Sequence, residues 1–491
     1  MKTTKTIKRP PEKKKAPSPP PLRVSSDLIP IVDYDEAEAF INKGDGRIDI
    51  FEITCIDLNA AKDYDVLLDV YSWAFFFKNY PKDLKIISMN YPVDTQTQIA
   101  HVDQLLAKTD NPIFKKELEK EKLWLQTAHD RYDAREFYLM VFSKDAEDYK
   151  KNQNRVLSHL GGKGLVKKLR LGKKVQILHK LLNMNAALAS IMENDHIPRG
   201  VPKNLGYNPY LVSAIQPQGG LNPSDERYIK KGDGYEACIH VYGFTNRVSF
   251  NWISKLALFD NTISTIDIAP SDRLKTMENI SRSIEEQLSR MYDSKQQTEK
   301  FAAQKKYSQL EQLHSDIIDI GEVIKTTHFR IFVFAPTLAE IEDRVDKIIS
   351  EVSSNNYKAT VFLDENEKEW RSLLLSAQEQ SALPHARAGT PMPSETLAHG
   401  HPFHFASLSD PLGLYYGYTG TNGTVNHDPY HKDKQRLSYC AVCLGLMGAG
   451  KSTFLKNRLK KDAISGNIVR GFATNSEFEN LINYLGGSHI A

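Results

Sequence analysis

The sequence predicts a chain of mixed α/β and α+β class, in which two related α+β lobes lead into the start of an α/β domain. Three observations carry this expectation. Strand-like apolar runs alternate with helical patterns across residues 47–159. The same order recurs across residues 236–363. A further apolar run, Leu437–Leu444, enters a glycine-rich turn and then a helical pattern.

In the first lobe (26–160), Arg47–Cys55 reads as a strand, Tyr64–Phe77 as a helix and Leu84–Asn90 as a strand stopped by Pro92. Gln96–Asp130 is a long polar segment with helical spacing, Glu136–Ser143 a strand and Ala146–His159 a helix. A helical and loop connector spans 161–235. The second lobe (236–378) begins with a strand at Glu236–Tyr242 and a short helix at Phe250–Phe259. Thr262–Ala269 is its second strand, ended by Pro270, and Asp272–Ile324 is largely helical, in part a hairpin. His328–Phe334, Leu338–Val352 and Tyr357–Leu363 complete it as strand, helix and strand. Both lobes read β-α-β-α-β-α with the long helical segment in second place, which suits antiparallel sheets covered by helices.

The chain has 491 residues, 41% apolar and 25% charged, with a net charge of +3. That is ordinary for a globular protein and too small a charge to demand a polyanionic partner. Residues 1–25 differ, with eight Lys/Arg, one acid and six prolines. They cannot bury enough apolar surface to offset ordering and are expected to be disordered. Their cations suit a membrane surface. No apolar run is long enough to span a bilayer; the greasiest stretch, Val66–Phe77, is interrupted by Asp69. Four cysteines are too few for a disulfide framework. Cys440 and Cys443 form a C-x-x-C inside the apolar run before the glycine-rich turn, where both are expected to be small buried strand residues.

Two other clusters have bland explanations. Val156–Lys174 carries Lys163, Lys167, Lys168, Arg170, Lys173 and Lys174 and is expected to be at least partly helical. Such a stretch is compatible with a nucleic-acid patch, but no aromatic residue interleaves to stack on bases, so a solvated or subunit-facing helix is preferred and direct DNA binding is left open. Residues 379–436, rich in Pro, Gly, His and Ser, read as an extended linker. Their His399, His401 and His404 match no standard zinc spacing and are expected to be structural.

The one pattern with specific chemistry is Gly445-Leu446-Met447-Gly448-Ala449-Gly450-Lys451-Ser452-Thr453. It completes G-x-x-x-x-G-K-S between the apolar run and a helix over Phe454–Ile464, opening a domain at 437–491. Small residues let backbone N–H groups converge on phosphate oxygens, and the helix N-terminus adds its free amides and dipole. Lys451 is expected to reach the β- and γ-phosphates of ATP, and Ser452 to ligate Mg2+. Gly445, Gly448, Ala449, Gly450, Lys451, Ser452 and Thr453 are thus the candidate nucleotide-binding residues, with no catalytic residue assigned. Beyond the loop, Gly466–Thr474 reads as a strand and Glu477–Leu485 as a helix. No apolar strand ending in Asp or Glu follows. The chain is therefore expected to stop within its motor domain, before the Walker B acid, and to hydrolyse ATP weakly or not at all by itself.

The chain resembles the conjugative-transfer ATPases of type IV secretion systems, the TraC/TrbE/CagE family, in its Gram-positive mobile-element form. Residues 44–58 (GDGRIDIFEITCIDL) and 216–242 carry the resemblance in the lobes. Thr396–Phe403 (TLAHGHPF), Ser407–Tyr418 (SLSDPLGLYYGY) and Phe478–His489 (FENLINYLGGSH) carry it around the phosphate loop. The resemblance implies a P-loop RecA-like motor, dimeric or hexameric, working with secretion-channel and coupling proteins. It further implies a cytoplasmic protein peripheral to the membrane, powering channel assembly or DNA–protein transfer. Two other readings compete. A DNA translocase of the FtsK/HerA kind shares the motor but not the long α+β region, and a non-hydrolysing protein could bind channel partners through residues 26–370.

Overall fold

The computed structural model describes residues 25–488 except 59, 94, 132, 187–196, 246–247, 295, 434–435 and 474–475. The tail expected to be disordered lies, but for Ser25, outside the described residues.

The first lobe runs β1 (Arg47–Ile53), α1 (Asp63–Asn79), β2 (Leu84–Pro92), α2 (Gln96–Lys108), α3 (Pro112–Arg131), β3 (Asp133–Ser143), α4 (Ala146–His159) and β4 (Val166–Lys168). The segment at 96–130 is a hairpin rather than one helix. Asn111 breaks it by accepting from the amides of Ile113 and Phe114 at 2.9 and 3.4 Å, and Pro112 opens α3. The connector contributes α5 (Leu171–Leu182) and α6 (Pro209–Ile215). The second lobe repeats the first as β5 (Gly234–Gly243), α7 (Ser254–Ala257), β6 (Thr262–Pro270), α8 (Arg273–Asp293), α9 (Gln297–Asp319), β7 (Ile324–Ala335), α10 (Leu338–Ser354) and β8 (Lys358–Val361). Helices begin where the sequence supplies caps. Asp145 accepts from the amides of Glu147 and Asp148, and Asp272 from those of Leu274 and Lys275.

The two lobes do not hold separate sheets. Their strands join into one sheet, 13-stranded among the described residues, whose central order is β1-β3-β2-β6-β7-β5. Each lobe places its third strand between its first and second, and the second strands meet at the middle. Every ladder within this order is antiparallel, and the registers repeat. Leu84↔Val141 through Pro92↔Asp133 has its counterpart in Thr262↔Val333 through Pro270↔Lys325. The seam pairs Leu84↔Ile268 through Ser88↔Ser264.

Both faces of the sheet are covered. On one face Trp73, Phe76 and Phe77 of α1, Val156 of α4 and Ile341 and Val345 of α10 pack on Phe51, Ile86, Leu139, Ile266 and Ile331. On the other, Leu178 and Leu181 of α5, Leu211 of α6, Trp370 and Leu373 pack on Ile50, Ile87, Met140, Ile263 and Phe332. This explains why β3 and β7 read as continuous apolar runs instead of alternating ones. Each fully buried large side chain contributes roughly 1.5–3 kcal/mol.

At the seam, Lys85 and Asp267 are register partners and pair at 2.6 Å, fully buried. Arg330 reaches the other oxygen of Asp267 at 2.6 Å and also holds Glu369. Lys85 donates to the Ser372 carbonyl at 2.5 Å, and Gln380 to Asp267 at 3.1 Å. His328, half-buried beside this cluster, is pushed down to about 4 by partial burial and then by the Arg330 charge.

Asp267→Ala would leave Lys85 and Arg330 buried without their shared carboxylate. It should cost about 3–5 kcal/mol in urea unfolding, whereas Asp272→Ala, which removes only a helix cap, should cost about 1 kcal/mol. Equal losses would mean that the seam pair carries no special weight.

Candidate phosphate-binding site

Residues 379–436 do not form the extended linker expected of their composition. Thr390–Pro393 adds to β7 as an antiparallel strand at its outer end, where proline is tolerated. A helix follows at Ser394–His399. Phe403 then inserts between Trp73 and Phe137, with ring centroids at 4.9 and 5.5 Å. The three histidines are spent on this path. His399 Nδ1 lies 2.8 Å from the Glu395 carbonyl, and His404 Nδ1 accepts from the Leu58 amide at 3.2 Å. His401 is buried against Phe250 and Phe403, and burial pushes it down to about 4. Among the described residues no cluster of three or more His, Cys, Asp or Glu is arranged to hold a metal.

A three-stranded sheet comes next, of β9 (Leu408–Ser409), β10 (Leu414–Tyr418) and β11 (Thr424–His427), in the order β9-β11-β10. Asp410, buried at its edge, ties the approach to the loop. It accepts two bonds from the Arg436 guanidinium, both at 2.7 Å, and one from the Asp428 amide at 2.8 Å. Burial alone would raise its carboxyl, but these bonds outweigh burial and hold it below the usual range.

Leu437–Leu444 does not form the expected buried strand. Leu437, Val442 and Leu444 are 76–86% exposed, and no strand among the described residues pairs with the segment. An apolar run becomes a strand only where neighbours take up its N–H and C=O groups. Cys440 is accordingly exposed and Cys443 half-buried, not two buried strand residues. Residues 466–473 likewise form no strand, and Phe472 is fully exposed.

The turn and helix do form. Gly448 and Gly450 have φ of 80° and 85°, the left-handed region that favours glycine, and a Cβ at either would meet nothing within 4 Å. Helix α11 (Lys451–Ile464) starts directly at Lys451, with Gly450 as its N-cap, and α12 (Glu479–Tyr484) follows. The first-turn amides of α11 have no partner within the helix. Gly445, Gly448, Ala449 and Gly450 line the exposed turn, with Ser452 and Thr453 in that first turn. Lys451 folds back over the turn and donates to the carbonyls of Gly445 and Leu446 at 2.8 Å each. Ser452 donates to Glu477 at 3.1 Å. The residues therefore fit a phosphate group in chemistry, with open amides, an ammonium on a mobile stem and a hydroxyl.

No motif in the sequence names what anchors α11. Its far end lies on the first-lobe hairpin. Lys461 is buried against Glu121, Lys460 pairs with Glu117 at 3.0 Å, and Tyr484 donates to Glu117 at 3.1 Å. Ile464 packs with Val102, Leu118, Leu125 and Leu414. Glu117 lies three and four residues after Phe114 and Ile113, and Glu121 three and four before Trp124 and Leu125, so the spacing sets both carboxylates among apolar residues of α3 but names no partner for them.

The basic stretch 156–174 is not one helix, and its cations are divided: Lys163, Lys167, Lys168 and Arg170 are exposed as expected of a solvated stretch, whereas Lys173 and Lys174 are taken up within the fold. It is split among the end of α4, β4 and the start of α5. Lys174 pairs with buried Asp49 at 2.6 Å, Lys173 with Glu136 at 2.7 Å, and Lys163 donates to Ser72 at 2.8 Å. Lys167 and Lys168 face solvent.

Burial raises the Glu117 carboxyl, but bonds from Lys120, Lys460 and Tyr484 prevail and hold it at about 2, below its ordinary 4.5. A depressed carboxyl stabilises fully above 4.5 and loses that effect as pH falls toward 2. Protection of the α11 amides, corrected for intrinsic exchange, should decline over that window, and Glu117→Gln should remove this dependence. A second check concerns the thiols. Iodoacetamide should label Cys440 before buried Cys238, and the reverse order would return residues 437–444 to a sheet.

Residues 34–169 match the model of the archaeal TraC-like domain. A curated relative, an uncharacterized protein of Bacillus anthracis, is 33% identical over 285 residues, which is 58% of this chain and 44% of the relative. The chain thus spans less than half of that relative's length. No helix among the described residues is long and apolar enough to cross a membrane. The matched range runs from Tyr34 through β4 and so takes in the first lobe, including the hairpin that carries α11.

Proposed function

We propose that this protein is an ATP-binding subunit of a conjugative type IV secretion apparatus. The observation that carries the reading is the turn Gly445–Gly450 running straight into α11, with two left-handed glycines and Lys451 folded over the turn, on a chain whose first lobe is TraC-like. In this reading Lys451 leaves the Gly445 and Leu446 carbonyls and swings to the β- and γ-phosphates, a move its four-carbon stem permits. The amides of Gly448, Gly450, Lys451 and Ser452 converge on phosphate oxygens, that of Ala449 joins them by leaving the Leu446 carbonyl to which it donates at 3.2 Å, and Thr453 closes the first turn. Ser452 exchanges Glu477 for Mg2+, which neutralises phosphate charge when bound.

The apparatus, its channel and coupling partners, self-assembly into a dimer or hexamer, and a place at the cytoplasmic face of the membrane belong to the same proposal. They rest on the TraC-like lobe and on the resemblance of the segments flanking the phosphate loop. Powering channel assembly or DNA–protein transfer would be the work of the assembled motor.

Titration of the chain with a fluorescent ATP analogue in Mg2+ should saturate, and Lys451→Ala should weaken binding by at least tenfold, with phosphate release followed in the same samples. Equal affinity of the two proteins would remove Lys451 from the site, and no binding by either would leave a partner-binding role in front.

A further inference from the structure

The first-lobe hairpin holds both arms of the phosphate loop. On the entry side, Gln98 of α2 donates to the Asp410 carbonyl and to Ser409 Oγ, both at 2.9 Å. Asp410 in turn grips Arg436, just before the exposed run. On the exit side, Glu117 and Glu121 of α3 hold Lys460 and Lys461. Tyr416 of β10 bridges the two arms, with its ring centroid 6.1 Å from that of Phe454 and Lys461 Nζ 5.1 Å away. Between these anchors, residues 437–450 pair with no strand among the described residues and are largely exposed. The hairpin is therefore the part of the fold that sets where the loop begins and where its helix points.

We propose that Glu117 and Glu121 are positioning residues for the phosphate loop, so that docking of α11 on the hairpin and nucleotide binding at Lys451 are coupled. The inference rests on the ATP-binding reading above and adds to it a place where the lobe can control the site. The pin lies ten residues from Lys451, about 15 Å along a rigid helix. With the pin in place, α11 presents its first-turn amides in one orientation. Without it, the exposed run before α11 offers no strand pairing to hold the helix against tilting, and binding must restore that order. Coupling of this kind is reciprocal, so nucleotide must also tighten the dock.

Lys461 is buried against Glu121, so reversing one charge sets two like charges together, and reversing both restores the pair. The experiment uses the whole chain, a fluorescent ATP analogue with Mg2+, and hydrogen exchange with and without Mg-ATP. Glu121→Lys should speed exchange across 451–464 and weaken binding by about 5- to 150-fold. The double variant Glu121→Lys with Lys461→Glu should recover most of both. In the unmodified chain Mg-ATP should slow exchange across 112–131, which a purely structural contact would not do. Should Glu121→Lys fail to fold, Glu117→Gln, which keeps the shape of the side chain, should give a smaller loss in the same direction. Unchanged affinity in a variant whose α11 is undocked would overturn the coupling, as would a loss that the charge swap does not reverse or a hairpin indifferent to Mg-ATP. If the unmodified chain shows the docked helix by exchange but binds no Mg-ATP, the ATP-binding reading falls, and the coupling falls with it.

Discussion

Joining two lobes through their second strands puts ionisable side chains in the middle of a sheet covered on both faces. Lys85 and Asp267 face each other across the seam, and neither can reach water. Two charges buried in this way are tolerable only when each satisfies the other and its remaining bonds are filled. Arg330, Gln380 and the Ser372 carbonyl fill them. A one-residue slip of β2 on β6 would turn Lys85 to the opposite face and strand both charges. The seam therefore fixes register as well as holding the lobes. The segment 366–380, which contributes Glu369, Ser372 and Gln380, is drawn over the sheet by the same cluster.

Most of the element order could be read from the sequence, because the physics behind it is local. Strands β1, β2, β3, β5, β6 and β7 are apolar, rich in β-branched and aromatic residues, and bounded by proline or capping residues. The repeat was also visible, since the long polar helical segment falls between second and third strands both times. Edge-to-edge fusion was not visible. Nothing in Lys85 or Asp267 taken singly distinguishes a surface charge from one half of a buried pair, and their partnership spans more than 180 residues. The fold within 379–436 was missed for a related reason. Proline, glycine and histidine suggest irregular chain, and only the pairing of Thr390–Pro393 with β7 and the socket for Phe403 give it order.

The phosphate loop divides along the same line. Its turn and helix follow from glycines that reach positive φ and from a helix start that needs no partner beyond the loop itself. The strand before it does not follow, because a strand depends on hydrogen-bonding neighbours that no local pattern supplies. Leu437–Leu444 has the apolar content of a buried strand and stays exposed, which shows how far apolar content alone falls short of a ladder.

The duplication also leaves an asymmetry. Both lobes carry a helical hairpin after the second strand, yet the hairpins have different surroundings. In the second, α8 and α9 pack chiefly on each other, and only Ile280, Gln287, Ala303 and Ile317 are buried. In the first, α2 and α3 bury Gln98, Glu117 and Glu121 under the segment that carries the phosphate loop. A carboxylate on a helix surface is stable in water without any partner, so folding of the lobe alone gives no reason for Glu117 and Glu121 to sit where α11 covers them. Within the lobe only exposed Lys120 reaches Glu117, and the two buried carboxylates gain the rest of their partners when Lys460, Lys461 and Tyr484 arrive. That dependence makes the first hairpin a part of the loop's architecture as much as of its own lobe.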